Sequence, residues 1–193
     1  ATYEITPDIT LFGSWSRSGR APTPLELGCS DPENPCIIDA FLVSDPPLEQ
    51  VVSTTIEAGI RGQTYLDDTS RLKWSFSAYR TDNENDILSI PSEARNFGYF
   101  QNAGNTRRQG IEASIAYENQ HFAAYASYAY VDATYQSAFD MAAVEGNPGE
   151  DAEDGVLSIM PGDRIGGIPA HRFKAGVSYN VNDRWTIGGD LDY

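Results

Sequence analysis

The stretch YFQNAGNTRRQGIEASIAYE, residues 99–118, changes character halfway along. Its first half is polar and carries two adjacent arginines. In its second half Ile111, Ala113, Ile115 and Tyr117 share one parity, and Glu112, Ser114, Ala116 and Glu118 share the other. Strict alternation of this kind marks a β-strand with one apolar and one polar face. The direction in which the apolar face points decides the fold.

Working outward, the same pattern recurs in pairs. TYEI and ITLFGSWS flank TPD at 6–8, and IEAGIRGQTY and RLKWSFSAY flank LDDTS at 66–70. GIEASIAY and HFAAYASYAYV flank ENQ at 118–120, and RFKAGVSY and RWTIGGDLDY flank NVND at 180–183. Each pair reads as a hairpin with a tight end. The opposite connections, 17–50, about 81–99 and about 137–168, are long and rich in Pro, Gly, Asp, Glu and Asn, and are expected to be irregular. Several such loops are uncommon in a compact domain. They hold 17 of the 28 acidic residues and only 4 of the 13 basic ones, so one end of the molecule is acidic and bulky while the other is trim.

The 193 residues carry a formal charge of −15, which argues against a nucleic-acid surface. No apolar run approaches the roughly 18 residues of a membrane helix. Eleven tyrosines, with 17 glycines and 11 prolines as punctuation, fit a β protein. The chain starts without a charged-then-apolar leader and stops within an alternating segment, so it reads as a piece of a longer protein. Cys29 and Cys36, in GCSDPENPC, stand in turn chemistry and are expected to form a disulfide in an oxidising compartment, against the alternative of two free thiols. Such a bridge would contribute about 2–3 kcal/mol in the chain-entropy model.

A soluble sandwich or barrel turns its apolar parity inward, whereas a membrane barrel turns it outward and lines its lumen with polar groups. Here the polar parity carries Glu57, Arg61, Lys73, Arg108 and Glu112, read as lumen-facing. Glu57/Arg61 and Arg108/Glu112, four apart on their strands, are expected to meet across a wet interior. The other parity carries Ile56, Ile60, Trp74, Phe76, Ile111 and Ile115, read as lipid-facing. Trp15, Tyr65, Trp74, Tyr117, Phe122, Tyr179 and Trp185 gather near strand ends; Trp15, Trp74, Tyr117 and Trp185 are read as part of the lipid-facing and girdle set. The alternating cores run about 8–11 residues, close to the length that crosses a bilayer at a tilt. Together with short turns on one side and long loops on the other, this points the apolar face outward.

The segments SWSRSGRAPTPLELGC, TIEAGIRG, YFQNAGNTRRQGIEASIAY and PGDRIGGIPAHRFKAGVSY together resemble the barrel domain of TonB-dependent outer-membrane receptors. The Asn-x-Gly stretch at Asn102–Gly104 leads into the Gly-Ile-Glu strand at Gly110–Glu112. Glu57–Gly62 and Ile168–Phe173 supply two further matches, and the resemblance covers the whole chain. It implies an all-β fold, an antiparallel up-and-down transmembrane β-barrel, with about eight strands here (two truncated) of a 22-stranded whole. Residues 1–193 are then part of the β-barrel domain, without the plug domain and without the energy-coupling segment.

The implied function is active uptake of a scarce nutrient across the bacterial outer membrane, most often a ferric siderophore. The implied partners are outer-membrane lipid, the plug of the parent chain, a TonB-type energy-coupling protein and the small-molecule ligand. Rival readings are a complete small eight-stranded structural or adhesive barrel and a secreted carbohydrate-binding β-sandwich. No catalytic set stands out, so no enzyme and no cofactor are expected. His121 and His171 lack ligand-spaced partners. The acidic run EGNPGEDAEDG at 145–155 lacks the spacing of a calcium hand and reads, with Asp140, as a solvated extracellular loop through Glu145, Glu150, Asp151, Glu153 and Asp154. TDNEND at 81–86 reads the same way.

Overall fold

A computed structural model describes residues 1–30, 48–91, 98–142, 152–153 and 156–193. The alternating segments form strands β1 (Thr2–Thr6), β2 (Ile9–Arg20), β3 (Val51–Tyr65) and β4 (Arg71–Glu84). A short helix, α1 (Pro24–Gly28), follows β2, and a hairpin of β5 (Ile87–Pro91) and β6 (Gly98–Asn102) follows β4. Then come β7 (Thr106–Glu118), β8 (Phe122–Tyr135), β9 (Phe139–Ala142), β10 (Ala152–Glu153), β11 (Val156–Ile159), β12 (His171–Asn182) and β13 (Trp185–Asp192).

Eight of these strands make one sheet in the order β1-β2-β3-β4-β7-β8-β12-β13, every neighbour antiparallel. This is the up-and-down order expected from the paired segments. The outer strands β1 and β13 span only 5 and 8 residues, whereas β3 spans 15.

Side-chain chemistry ties the tight turns. Asp67 accepts from the Thr69 amide (2.8 Å), and Asn119 from the amides of His121 (2.9 Å) and Phe122 (2.7 Å). Asn182 accepts from Arg184 (2.9 Å) and Trp185 (3.1 Å). Asp and Asn favour such turns because their short side chains reach a backbone amide two residues on. The last turn lies later than NVND suggests, because a register shift between Asn180 and Asn182 extends β12 to Asn182.

The long connections correct one expectation: they are not irregular throughout. Strand pairing continues to Arg20 and Glu84, past Trp15 and Tyr79, the last large apolar side chains of β2 and β4. The connections also hold α1, the β5–β6 hairpin and a small sheet ordered β10-β11-β9. Ladder hydrogen bonds are made by the backbone, so pairing persists where apolar alternation stops.

The core lies at the long-connection end. Among the described residues the buried apolar side chains are Cys29, Val51, Ile87, Ile90, Ala103, Ala133, Ile159 and Ile165. None belongs to the middle of a strand of the large sheet. There, Ile56 is 57% exposed and Phe76 45%.

Two glycines of the Glu57–Gly62 match seat aromatic rings on opposite faces. A Cβ on Gly59 would lie 2.5 Å from the Phe12 ring and 2.6 Å from the Phe76 carbonyl, and one on Gly62 would lie 2.6 Å from Trp74. Gly59→Val is therefore expected to destabilise the β2–β3–β4 ladder by about 1–3 kcal/mol. Gly189→Ala, with open space around it, should stay within about 0.5 kcal/mol. Amide hydrogen exchange of the two variants checks this, and equal protection would contradict the seating role.

Candidate functional site

Strand register carries each parity across the whole sheet. Arg61 pairs with Thr10 and Ser75, and Lys73 with Gln63 and Ala116. Glu57 stands opposite Ser14 and Tyr79, Glu112 opposite Ser77 and Ala129, and Arg108 opposite Thr81 and Ala133. All five charged residues thus share one face. The opposite face joins Trp15 to Ile56, Ile60 to Phe76, Trp74 to Ile115, Ala78 to Ile111 and Leu72 to Tyr117. Trp185, two before Ile187 on β13, falls on that face too, since Ile187 pairs with Tyr179 and Tyr179 with Phe122. Tyr65 departs from this set: it pairs with Arg71, on the polar side.

The polar face is bonded side chain to side chain across strands. Thr55 meets Thr81 (2.9 Å), Ser75 meets Ser114 (2.8 Å), and Lys174 pairs with Asp192 (2.7 Å). Arg71 pairs with Glu118. Such cross-strand pairs contribute a few tenths of a kcal/mol to about 1 kcal/mol each. The expected Glu57/Arg61 and Arg108/Glu112 contacts do not form among the described residues. Four residues along a strand span about 13 Å, too far for an ion pair. Arg61 instead lies 5.8 Å from the Phe12 ring centroid, over the one bulky apolar ring on the polar side of β2, and Arg108 turns to Asp86.

Near the tight turns this face forms an open groove of about 470 Å³, lined by Thr10, Arg61, Gln63, Lys73, Ser75 and Ser114 among others. Arg61 and Lys73 share this groove with Asp8 and with the apolar Pro7, Trp74 and Ala116.

At the other end the connections fold over the polar face. Asp86, 7% exposed, accepts from the fully buried Thr106 hydroxyl (2.6 Å) and from Arg108 Nη1 (3.3 Å). Asn83 donates to Thr106 (3.2 Å) and accepts from Ser53 (2.6 Å). Ser53, Asn83, Thr106 and Arg108 all have polar-face register. Asp86 also closes the base of the β5–β6 hairpin: its amide donates to the Gly104 carbonyl (2.7 Å) and its carbonyl accepts from Ala103 (2.8 Å).

The Asn102–Gly104 match takes on a role here. The Asn102 amide donates to the Glu49 (3.1 Å) and Asn85 (2.8 Å) carbonyls, while Gly104 turns the chain into β7 at φ +82°, a conformation that favours glycine. Neither the Asp86 clamp nor the hairpin was foreseen, since TDNEND reads only as a charge run.

Helix α1 lies beside this rim, with the Phe100 amide donating to the Cys29 carbonyl (2.7 Å). Thr23 and Glu26 form a reciprocal capping box, a T-x-x-E signal that was open to reading in the sequence. The Arg20 guanidinium, 2.7 Å away, holds the Glu26 carboxyl below the usual carboxylate range. Cys29 is buried and disulfide-bonded, whereas Cys36 lies outside the described residues.

Of the acidic-loop residues, Asp140 sits on β9 and accepts from Ser158 (2.6 Å), and Glu153 sits on β10. Glu145, Glu150, Asp151 and Asp154 lie outside the described residues. No group of three or more His, Cys, Asp or Glu side chains converges on a metal-sized point among the described residues. His171 meets the Tyr128 hydroxyl (2.8 Å) and the Tyr130 ring, an aromatic cluster on the apolar face that the sequence reading missed.

Asp86→Ala would leave Arg108 and the buried Thr106 hydroxyl without their acceptor. The expected cost is about 1–3 kcal/mol, because Arg108 stays partly solvated. It should appear as faster amide exchange in β5 and β6 with little change in β12. Equal loss in both would mark a general destabilisation.

A family model described as TonB dependent receptor-like, beta-barrel matches residues 1–193. Among solved structures, a double mutant of the Serratia marcescens hemophore receptor HasR, in complex with its hemophore HasA and heme, aligns at TM-score 0.65 and 17% identity. That alignment covers 98% of this chain and 30% of that one. The copper transporter OprC aligns at TM-score 0.61 and 18% identity, covering 99% of this chain and 24% of its own. The alcaligin outer membrane receptor FauA from Bordetella pertussis aligns at 0.53 and 19%, covering 99% and 27%. No curated protein sequence matches. At these identities the structures establish the fold alone, and this chain spans between 24% and 30% of their length.

Proposed function

The chain belongs to the TonB-dependent receptor β-barrel family, matched along residues 1–193, and we propose that it forms part of the wall of a bacterial outer-membrane receptor for nutrient uptake. The face of Ile56, Phe76, Ile111 and Ile115 contacts lipid, with Trp15, Trp74, Tyr117 and Trp185 toward its margins. The face of Glu57, Arg61, Lys73, Arg108 and Glu112 lines the lumen, where the plug of the parent protein sits. A TonB-type protein supplies energy through a segment outside this chain. Ligand enters from the side of the long connections, where the acidic loop from Asp140 to Asp154 is extracellular, and a ferric siderophore is the favoured cargo.

The observation that carries this reading is an inversion of ordinary burial. On β4, Ser77 is 7% exposed while its neighbour Phe76 is 45% exposed. A water-soluble protein covers its large apolar side chains first. Here the connections fold over the polar face at Asn83 and Thr106 and leave the apolar one open, which does not suit a β-sandwich. No helix among the described residues is long and apolar enough to cross a membrane, a finding silent on strands.

Adjacent residues on β7 test the two faces. In the parent receptor, Ile115→Lys should destabilise the membrane-inserted state by about 2–4 kcal/mol, and Ser114→Lys by less than about 1 kcal/mol. Folding titrations into lipid vesicles measure both, and the reverse ranking would overturn the assignment. Cargo is tested by uptake of iron-loaded siderophores in cells lacking the receptor gene; undiminished uptake excludes that ligand class.

Cys29 and Cys36 are proposed to pair, bridging the start of the first long connection. A thiol-reactive dye should label neither cysteine before reduction and both after it. Labelling of the untreated protein would refute the bridge.

A further inference from the structure

Three aromatic side chains on the polar face of the sheet each lie against a glycine of the neighbouring strand. Phe12 on β2 stands opposite Gly59 on β3, Tyr79 on β4 opposite Gly110 on β7, and Tyr125 on β8 opposite Gly176 on β12. A Cβ on Gly59 would lie 2.8 Å from Phe12 Cε1, and one on Gly176 would lie 2.8 Å from Tyr125 Cζ. A Cβ on Gly110 would lie 3.2 Å from the Tyr79 hydroxyl, and it would also strike the Tyr130 carbonyl. The Tyr125 side chain passes right across Gly176, since its hydroxyl donates to Asp190 Oδ1 (2.9 Å) on β13.

These are the junctions that no tight turn joins. Arg20 leads to Val51, Glu84 to Thr106 and Tyr135 to His171 only through the long connections. The hairpin junctions β1–β2, β3–β4, β7–β8 and β12–β13 pair no aromatic side chain with a glycine on this face among the described residues. There the turn itself sets the register. Trp74 over Gly62, on the apolar face, lies across the β3–β4 hairpin.

Alternation of polar and apolar residues leaves a gap that such seats fill. A one-residue slip exchanges the two faces, so the parity of each strand opposes it. A two-residue slip keeps both faces, and parity does not oppose it. Gly59, Gly110 and Gly176 are the only glycines of polar parity on β3, β7 and β12. After a slip of two, Phe12 would meet Glu57 or Arg61, Tyr79 would meet Arg108 or Glu112, and Tyr125 would meet Lys174 or Ser178. Each of these residues carries a Cβ where the native pairing leaves room for the aromatic side chain.

We infer that the three aromatic–glycine pairs are the register-setting joints of the wall, one at each junction spanned by a long connection. They select the native pairing over its two-residue slips as the hairpins assemble. The inference concerns pairing within the sheet and stands apart from which face meets lipid.

The test uses the full-length receptor folded into lipid vesicles, with cysteine pairs placed across β8 and β12. Ser127→Cys with Lys174→Cys stand directly opposite in the native register. Ser127→Cys with Arg172→Cys, and Ala129→Cys with Lys174→Cys, come opposite only after a slip of two in one direction or the other. After mild oxidation, peptide mass spectrometry of the folded fraction counts the disulfide formed by each pair. Tyr125→Ala should raise one of the slipped crosslinks about five- to tenfold, in keeping with the preference that an aromatic pair provides. Gly176→Ala, which blocks the same seat from the other strand, should raise it likewise and keeps the test open where Tyr125→Ala folds poorly. Tyr125→Phe keeps the ring and loses the Asp190 bond, and should hold the native register.

Native crosslinking alone in the folded fraction of either alanine variant overturns the proposal. Slippage of Tyr125→Phe equal to that of Tyr125→Ala would assign the register to the Asp190 bond and overturn it likewise.

Discussion

The antiparallel backbone ladder is the constraint on which the structure depends, because it organises the large sheet without a hydrophobic core beneath it. Strands β2, β3, β4, β7 and β8 pair over 12 or more residues at each junction. In most β proteins a buried face specifies register, since a one-residue slip would expose it. Here the specification comes from both sides at once: a slip would carry Glu57, Lys73 and Glu112 onto the side of Ile60, Trp74 and Ile115. The ring seats at Gly59 and Gly62 add steric pins. Side-chain pairs such as Ser75–Ser114 and Thr55–Thr81 bond only when the strands are in step.

Conventional packing is displaced to the end where the connections are long. There Ile87, Ile90, Ala103 and Cys29 form a small core between α1, the β5–β6 hairpin and the rim of the sheet. Asp86 fastens that core to the wall through Thr106 and Arg108. A buried carboxylate is tolerated because hydroxyl, amide and guanidinium donors surround it, and its neighbours belong to three different strands or connections. The result is a polar margin bonded to the connections and a sheet whose other face is left uncovered among the described residues. Wall and rim therefore rest on different physics.

The family motifs gain physical content from this arrangement. In Glu57–Gly62 the two glycines make room for Phe12 on one face and Trp74 on the other, and Arg61 covers the Phe12 ring. In Asn102–Gly104 the side-chain amide of Asn102 ties two backbone segments, while Gly104 supplies a left-handed turn. These are requirements of wall and rim geometry. They carry no information on a ligand.

Sequence alone determined the strands of the large sheet, their tight turns, the division of each into polar and apolar parities, and the asymmetry between trim and bulky ends. All of these are local: a period of two, Asp and Asn in turns, and charge gathered in particular segments are visible without knowing what touches what. The T-x-x-E cap of α1 was equally local. Tertiary structure decided the rest, because it depends on register between residues far apart in the chain. Only pairing shows that Arg61 meets Phe12 instead of Glu57, that Arg108 turns to Asp86, and that Arg107 and Arg164 flank Thr134. Side chains four apart on one strand are too distant to touch, whereas neighbours across strands are close, and no local pattern fixes the register of strands joined by the long connections.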